Sequence, residues 1–235
     1  MAEPIRLLVH GASGRMGRAL LRLATDDPGV QVVAAVARSI DQRVADGVAW
    51  FSGAEMRGAP DFDVAVDFSL PGAFDAVLAL CRQRRAALVS GTTGLSDGQR
   101  AALDAAAEEI PALWASNFSL GVALLHELVE RAAQALPGWD CDIVESHHVH
   151  KRDAPSGTAL TLGAAAGQGG AEPRYASIRA GDIVGEHLVQ FTGAGERIEL
   201  AHRAGSRDIF ARGALHAALR LARQPPGMRS LRELL

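Results

Sequence analysis

The chain has 235 residues, enough for one large domain or two modest ones, and at 48% hydrophobic and 22% charged it has the apolar mass for a true core. Its 24 basic and 27 acidic residues leave a formal net charge of −3, which argues against the strongly basic face of a nucleic-acid binder. No stretch reaches the roughly 18 uninterrupted apolar residues of a membrane span, and the Met-Ala-Glu-Pro start lacks the basic opening of a signal peptide. In chain order, Ile5–His10 reads as a short strand that ends in glycine, and Arg15–Thr25 as a helix with Met16, Leu20, Leu21 and Leu23 on its apolar side. Further strands are predicted over 31–37, 63–68, 86–90 and 112–115, with helices over 72–84 and 96–108 between them. Short apolar strands alternating with helices predict an α/β fold, a Rossmann-type doubly wound parallel sheet covered on both faces.

The pattern changes near Phe118. A long helix is predicted over 120–136, stopped by Pro137-Gly138, then a strand over 142–146 and a helix over 155–166 closed by the glycine-rich 167–170. Strands over 175–179, 183–192 and 197–202 are joined by Ala-Gly-Asp and Gly-Ala-Gly turns that suggest antiparallel hairpins, and a last helix runs over 207–222. This second half reads as an α+β domain with a mixed or antiparallel sheet. Cys81 and Cys141 fit no metal or redox spacing and suit the core of a protein in a reduced compartment, so a cytoplasmic location is expected.

His10-Gly11-Ala12-Ser13-Gly14-Arg15-Met16-Gly17 follows the first strand and opens the first helix. Gly11 permits a tight turn, Gly14 lets the backbone approach a pyrophosphate, and Gly17 lets the helix pack on the sheet, while the helix N-terminus favours the phosphate charge. An NAD-selective site would place an acid at the end of the second strand, about 20 residues on. Here that stretch is Val36-Ala37-Arg38-Ser39, and Arg38 suits a 2′-phosphate, so NADPH is the expected cofactor with NADH second. Gly91-Thr92-Thr93-Gly94 and Ala115-Ser116-Asn117-Phe118 follow the fourth and fifth strands, where open α/β sheets bind ligands, and suit the nicotinamide half.

The densest chemistry lies in Glu145-Ser146-His147-His148-Val149-His150-Lys151-Arg152-Asp153-Ala154-Pro155-Ser156-Gly157-Thr158. A metal site is one reading, but an H-E-x-x-H helix is absent and adjacent histidines on a strand point to opposite faces. A solvated charge run is another. The preferred reading is a proton-transfer and anion-binding site: His147 and Lys151 share a strand face, Pro155 opens a helix, and Ser156, Gly157 and Thr158 offer first-turn N–H groups to a carboxylate. The expected partner is a small anionic substrate, with no metal, nucleic acid or membrane.

At these residues the chain resembles the dihydrodipicolinate reductases, also called 4-hydroxy-tetrahydrodipicolinate reductases. Asp67-Phe68-Ser69, Ser119 after Phe118, and Arg179-Ala180-Gly181-Asp182-Ile183-Val184-Gly185-Glu186-His187 join the motifs above, and the resemblance spans nearly the whole chain. It implies NAD(P)H-dependent reduction of a cyclic unsaturated dicarboxylate to tetrahydrodipicolinate, with loss of the hydroxyl as water, in the diaminopimelate route of lysine biosynthesis. It implies His147 as acid/base, Lys151 as proton donor, and His148, Gly157 and Thr158 as carboxylate holders. The cofactor then lies on residues 11–16, Arg38, residues 91–93 and residues 115–118. It also implies that the last helix returns to the first domain, giving a dinucleotide domain of 1–117 plus 207–235 and a substrate and oligomerisation domain of 118–206, in a homotetramer joined through the second domain's sheet. Ala37 stands where the family usually has an acid, which strengthens the case for NADPH. The segment 167–174 is shorter than in the family, which bears on the subunit interface. The rivals are a nonenzymatic dinucleotide sensor, which needs neither His147 nor Lys151, and a related dehydrogenase of an amino-acid semialdehyde. Pyridine-2,6-dicarboxylate binding separates them.

Overall fold

The computed structural model describes residues 3–40, 44–45 and 47–235. They form two compact units, one of Met1–Phe118 with Phe210–Leu235 and one of Ser119–Ile209.

The first unit holds strands β1 (Ile5–His10), β2 (Val30–Ala37), β3 (Val44–Ala45), β4 (Val48–Ser52), β5 (Val64–Asp67), β6 (Ala87–Ser90), β7 (Pro111–Trp114) and β12 (Gly227–Arg229). Their order is β12-β7-β6-β5-β1-β2-β4-β3. Seven run parallel and β3 alone pairs antiparallel, at the edge beside β4. Every residue of β5 and β6 is buried, as a sheet covered on both faces requires. Helix α1 (Arg15–Thr25) buries Leu20, Leu23 and Ala24; of the residues read as its apolar side, Met16 and Leu21 are half-buried. Helix α2 (Pro71–Arg84) has Pro71 in its first turn, where the missing N–H costs nothing, and ends at Arg85 in the left-handed region, φ 51°. Helix α3 (Asp97–Ala107) starts from a capping box, the Ser96 hydroxyl accepting from the Gln99 N–H while the Gln99 side chain accepts from the Ser96 N–H. Phe74, Val77, Cys81, Leu88 and Leu103 belong to one core cluster with Leu8. Three strands escape prediction, the two-residue β3 among them. Val48–Ser52 is an apolar run between Gly47 and Gly53, and Gly227–Arg229 is too short to show a pattern.

The second unit holds α4 (Leu120–Ala135), β8 (Asp140–His147), α5 (Gly157–Gln168), β9 (Pro173–Arg179), β10 (Glu186–Gly193) and β11 (Glu196–Arg203). The sheet order is β11-β10-β8-β9. Burial alternates along β8, with Cys141, Ile143, Glu145 and His147 inside, so Glu145 and His147 share one face two residues apart. Leu125 and Val129 of α4 and Leu162 and Ala165 of α5 complete the core with Ile143, Val189 and Phe191. The last helix, α6 (Asp208–Leu221), crosses back to the first unit.

Two expectations need correction. The Ala-Gly-Asp connection is no hairpin: β9 pairs parallel to β8, β10 pairs antiparallel on its other side, and the chain crosses the end of β8 between them. Only β10 and β11 form the hairpin expected of Gly-Ala-Gly. Helix α5 starts at Gly157, not Pro155, because the Ser156 hydroxyl accepts the Ala159 N–H and makes Ser156 the cap.

Candidate functional site

In the first unit β1 lies where the strand order reverses, the place at which open α/β sheets receive ligands. The chain turns there at Gly11, with φ +79°, and a Cβ at Gly11 would meet the Phe68 carbonyl oxygen at 2.5 Å. A Cβ at Gly17 would collide with the Gly11 carbonyl, so α1 sits directly against its own loop. No side chain caps α1 at Gly14 and its first turn holds no acid, which leaves the positive helix end to an anion. The Gly11 and Ala12 N–H groups both donate to the Val36 carbonyl, which brings the end of β2 and the exposed Arg38 beside this loop.

Beneath the loop lies a buried polar hub. Asp67 has no exposed surface; its Oδ1 takes His10 Nδ1 at 2.8 Å and the Ser69 N–H at 3.1 Å, and its Oδ2 accepts Ser90 Oγ and Thr92 Oγ1 at 2.8 Å each. Burial alone would raise this carboxyl, but His10 and the Ser69 and Thr92 donors outweigh it and hold the group below the usual carboxylate range. The hub therefore ties together the ends of β1, β5 and β6. It also alters two of the expected cofactor residues. The Thr92 hydroxyl is committed to Asp67, its N–H donates to Ser90 Oγ and its carbonyl accepts from Trp114 Nε1, so its polar groups are engaged within the protein. Phe118 is 1% exposed and packs edge-on against Phe68, so its ring is core. Ser13, Arg15, Thr93 and Ser116 are exposed, Met16, Gly91, Ala115 and Asn117 half-buried, and Ala12 buried.

In the second unit His147 ends β8 and its Nδ1 lies 2.5 Å from Glu145 Oε2. Glu145 is fully buried, and the Arg179 guanidinium, at the end of β9, grips both its oxygens at 2.9 and 2.8 Å. Burial would raise this carboxyl, but Arg179, then Ser177 and His147, pull it down to about 2. The carboxylate is thus charged and accepts the Nδ1 proton, leaving Nε2 as the ring nitrogen of His147 that Glu145 does not engage. A Cβ at Gly185 would stand 3.1 Å from that Nε2, so glycine keeps its approach open. Arg179 also donates to the Lys151 and Asp153 carbonyls, which anchors the loop from His147 to α5.

The strand ends at His147, so Lys151 does not share a strand face with it; the intervening residues turn, with the Lys151 N–H donating to the His148 carbonyl. Lys151 Nζ lies 2.8 Å from both Asp153 oxygens. His148 is half-buried and its titration is pushed down by desolvation and then by Arg207, His150, His147 and Lys151. His148 thus feels positive charge from Arg207, His150, His147 and Lys151. Thr158 is half-buried and Gly157 exposed, in the first turn of α5. No group of three or more His, Cys, Asp or Glu side chains among the described residues is placed to hold a metal ion, and none of the described helices is long and apolar enough to cross a membrane.

Because Glu145 titrates lower in the fold than its ordinary 4.5, it contributes stability above about pH 4.5 that is lost as pH falls toward 2. Thermal unfolding followed against pH is expected to show that acid loss in the wild type and a flatter profile in Glu145→Gln; parallel profiles would refute the linkage.

The model of the dihydrodipicolinate reductase N-terminus matches residues 5–118 and that of the C-terminus residues 121–235. The chain belongs to the dihydrodipicolinate reductase family. It is 71% identical over 234 residues to the 4-hydroxy-tetrahydrodipicolinate reductase of Stenotrophomonas maltophilia, covering 99% of this chain and 98% of that protein. The protein of the same description from Xylella fastidiosa is 62% identical over 232 residues, with 98% of each chain covered. Among solved structures, a dipicolinate-bound dihydrodipicolinate reductase from Paenisporosarcina sp. TG-14 shares the fold with a TM-score of 0.84 at 21% identity, covering 99% of this chain and all of that one. A DAP dehydrogenase of C. glutamicum in complex with DAP shares it at TM-score 0.64 and 15% identity, with 99% and 94% covered. Sequence reading of this reductase missed Asp67, Glu145, Arg179 and Arg207 as parts of the sites. Glu145 had a signal, since i and i+2 share a strand face. Arg179 lies in a matched motif, but its contact with Glu145 had no local signal, because strand pairing brings the two together; Arg207 had none.

Proposed function

We propose that the protein reduces 4-hydroxy-tetrahydrodipicolinate to tetrahydrodipicolinate with a nicotinamide dinucleotide, preferably NADPH, in the cytoplasm. The observation that carries this reading is His147 at the end of β8, oriented by the buried Glu145 that Arg179 grips, with Lys151 on the loop that leads from His147 to α5. The glycine loop fits a dinucleotide pyrophosphate, since glycine at 11 and 17 lets the loop fold tightly against Phe68 and α1 and the uncapped N-terminus of α1 is left for an anion. Bound NADPH supplies the hydride. Glu145 fixes the proton on Nδ1 of His147 so that Nε2 can give or take one at the substrate, and Lys151 donates the proton that the leaving hydroxyl needs to depart as water. The Gly157 and Thr158 N–H groups, with His148 and Arg207, hold the substrate carboxylates. Residues 11–16, Arg38, residues 91–93 and residues 115–118 hold the cofactor. We further propose a homotetramer joined through the outer face of the four-stranded sheet, where Val144 and Leu188 are half-buried and Ile178 is exposed.

The test is turnover. Substrate generated in situ from pyruvate and aspartate semialdehyde by the preceding synthase is expected to drive loss of NADPH absorbance, inhibited by pyridine-2,6-dicarboxylate; absence of both defeats the proposal. NADPH is expected to bind roughly tenfold tighter than NADH through Arg38, and Arg38→Ala to close that gap. Equal Kd values, or tighter NADH, in the wild type defeat the cofactor preference.

A further inference from the structure

His187 is 5% exposed on the inner face of β10, directly opposite Glu145 in the β8 register, and the chemistry above does not use it. Its Nε2 lies 3.1 Å from Ser156 Oγ, the oxygen that accepts the Ala159 N–H and caps α5. The Ser156 N–H in turn donates to Glu145 Oε1 at 3.3 Å. Ser156 is thus gripped from two adjacent strands, by the carboxylate that orients His147 and by His187. The His187 ring also stands edge-on to that of His147, with centroids 5.2 Å apart.

Resting on the function proposed above, we infer that His187 is a positioning residue for the substrate: through Ser156 it sets the first turn of α5, with Gly157 and Thr158, at a fixed place relative to His147. Burial, and then the charge of His147, push the titration of His187 down to about 4, so near neutral pH it adds no second cation beside the acid/base. Its Nδ1 is buried without a partner, so in either neutral tautomer the ring spends its one polar contact on Ser156. The adjoining residue of the sheet supplies a contrast. His202 pairs with His187 in register and its Nε2 lies 3.2 Å from Ser119 Oγ, the cap of α4, a helix whose first turn has no part in the proposed substrate site.

The inference separates from a structural role by a binding readout. His187→Phe keeps a ring beside His147 and loses the bond to Ser156. It is expected to raise the inhibition constant of pyridine-2,6-dicarboxylate, and KM with it, about tenfold while kcat changes less than about threefold. His187→Asn, smaller and too short to reach Ser156, is expected to give the same result if phenylalanine overpacks the site. In a Ser156→Ala background either change should add little, because both act on one link. His202→Phe should leave the inhibition constant within about threefold of wild type. Unchanged inhibition in both His187 variants, additive effects with Ser156→Ala, or an equal rise in His202→Phe overturns the inference. A wild-type protein that neither turns over nor binds the inhibitor removes the functional reading instead.

Discussion

His147→Gln is expected to lower kcat by about 10²-fold or more, the usual scale for loss of a general acid/base, with NADPH affinity retained. Glutamine can keep a hydrogen bond to Glu145 but has no titratable nitrogen to present where Nε2 stands. The expectation depends on the Glu145–Arg179 pair. A buried carboxylate held to about 2 stays ionised across the working pH range and accepts from Nδ1 throughout, so only one ring nitrogen is left to exchange protons. Lys151→Ala is expected to fall on the same scale, since it removes the ammonium that Asp153 now holds at 2.8 Å. Steady-state kinetics with the coupled synthase, alongside direct NADPH titration, check both. Near-wild-type kcat in the two variants removes them from the chemistry.

What the sequence disclosed about this fold follows from how far apart the cooperating residues lie. The glycine loop, the strand–helix alternation and the His147–Thr158 segment are local, and each carries its own periodicity or turn chemistry. The α5 start was misread by two residues because Pro155 and Ser156 both suit a helix opening, and only the Ser156 cap, accepting from Ala159, decides between them. The β9–β10 connection was misread because Ala-Gly-Asp is equally good as a hairpin or as a crossing over a strand end; pairing with β8 is a tertiary fact. The supports of the site were the least legible. Arg179 lies 34 residues from Glu145, and Asp67 lies 57 from His10, so no window of local sequence contains either pair.

That second pair sets the other large effect. Asp67→Ala is expected to destabilise the first unit by about 3–5 kcal/mol, because three buried donors, His10 Nδ1, Ser90 Oγ and Thr92 Oγ1, lose their acceptor at about 1–3 kcal/mol each, with partial relief as the hydroxyls turn. Asp67→Asn keeps the shape and one acceptor oxygen and should cost less. In both variants NADPH should bind more weakly, since the ends of β1 and β6 that carry the glycine loop and residues 91–93 are no longer tied to one carboxylate. The sign with pH is fixed by the same group. Asp67 titrates below its ordinary 3.8 in the fold, so its contribution is complete above about that pH and is lost as pH falls further. The stability gap between wild type and Asp67→Ala should therefore narrow in acid. Denaturant unfolding at neutral pH and near pH 3, with NADPH titration at neutral pH, reads all three effects. A gap that is small at neutral pH, or that widens in acid, would show that the hub is not what holds the loops.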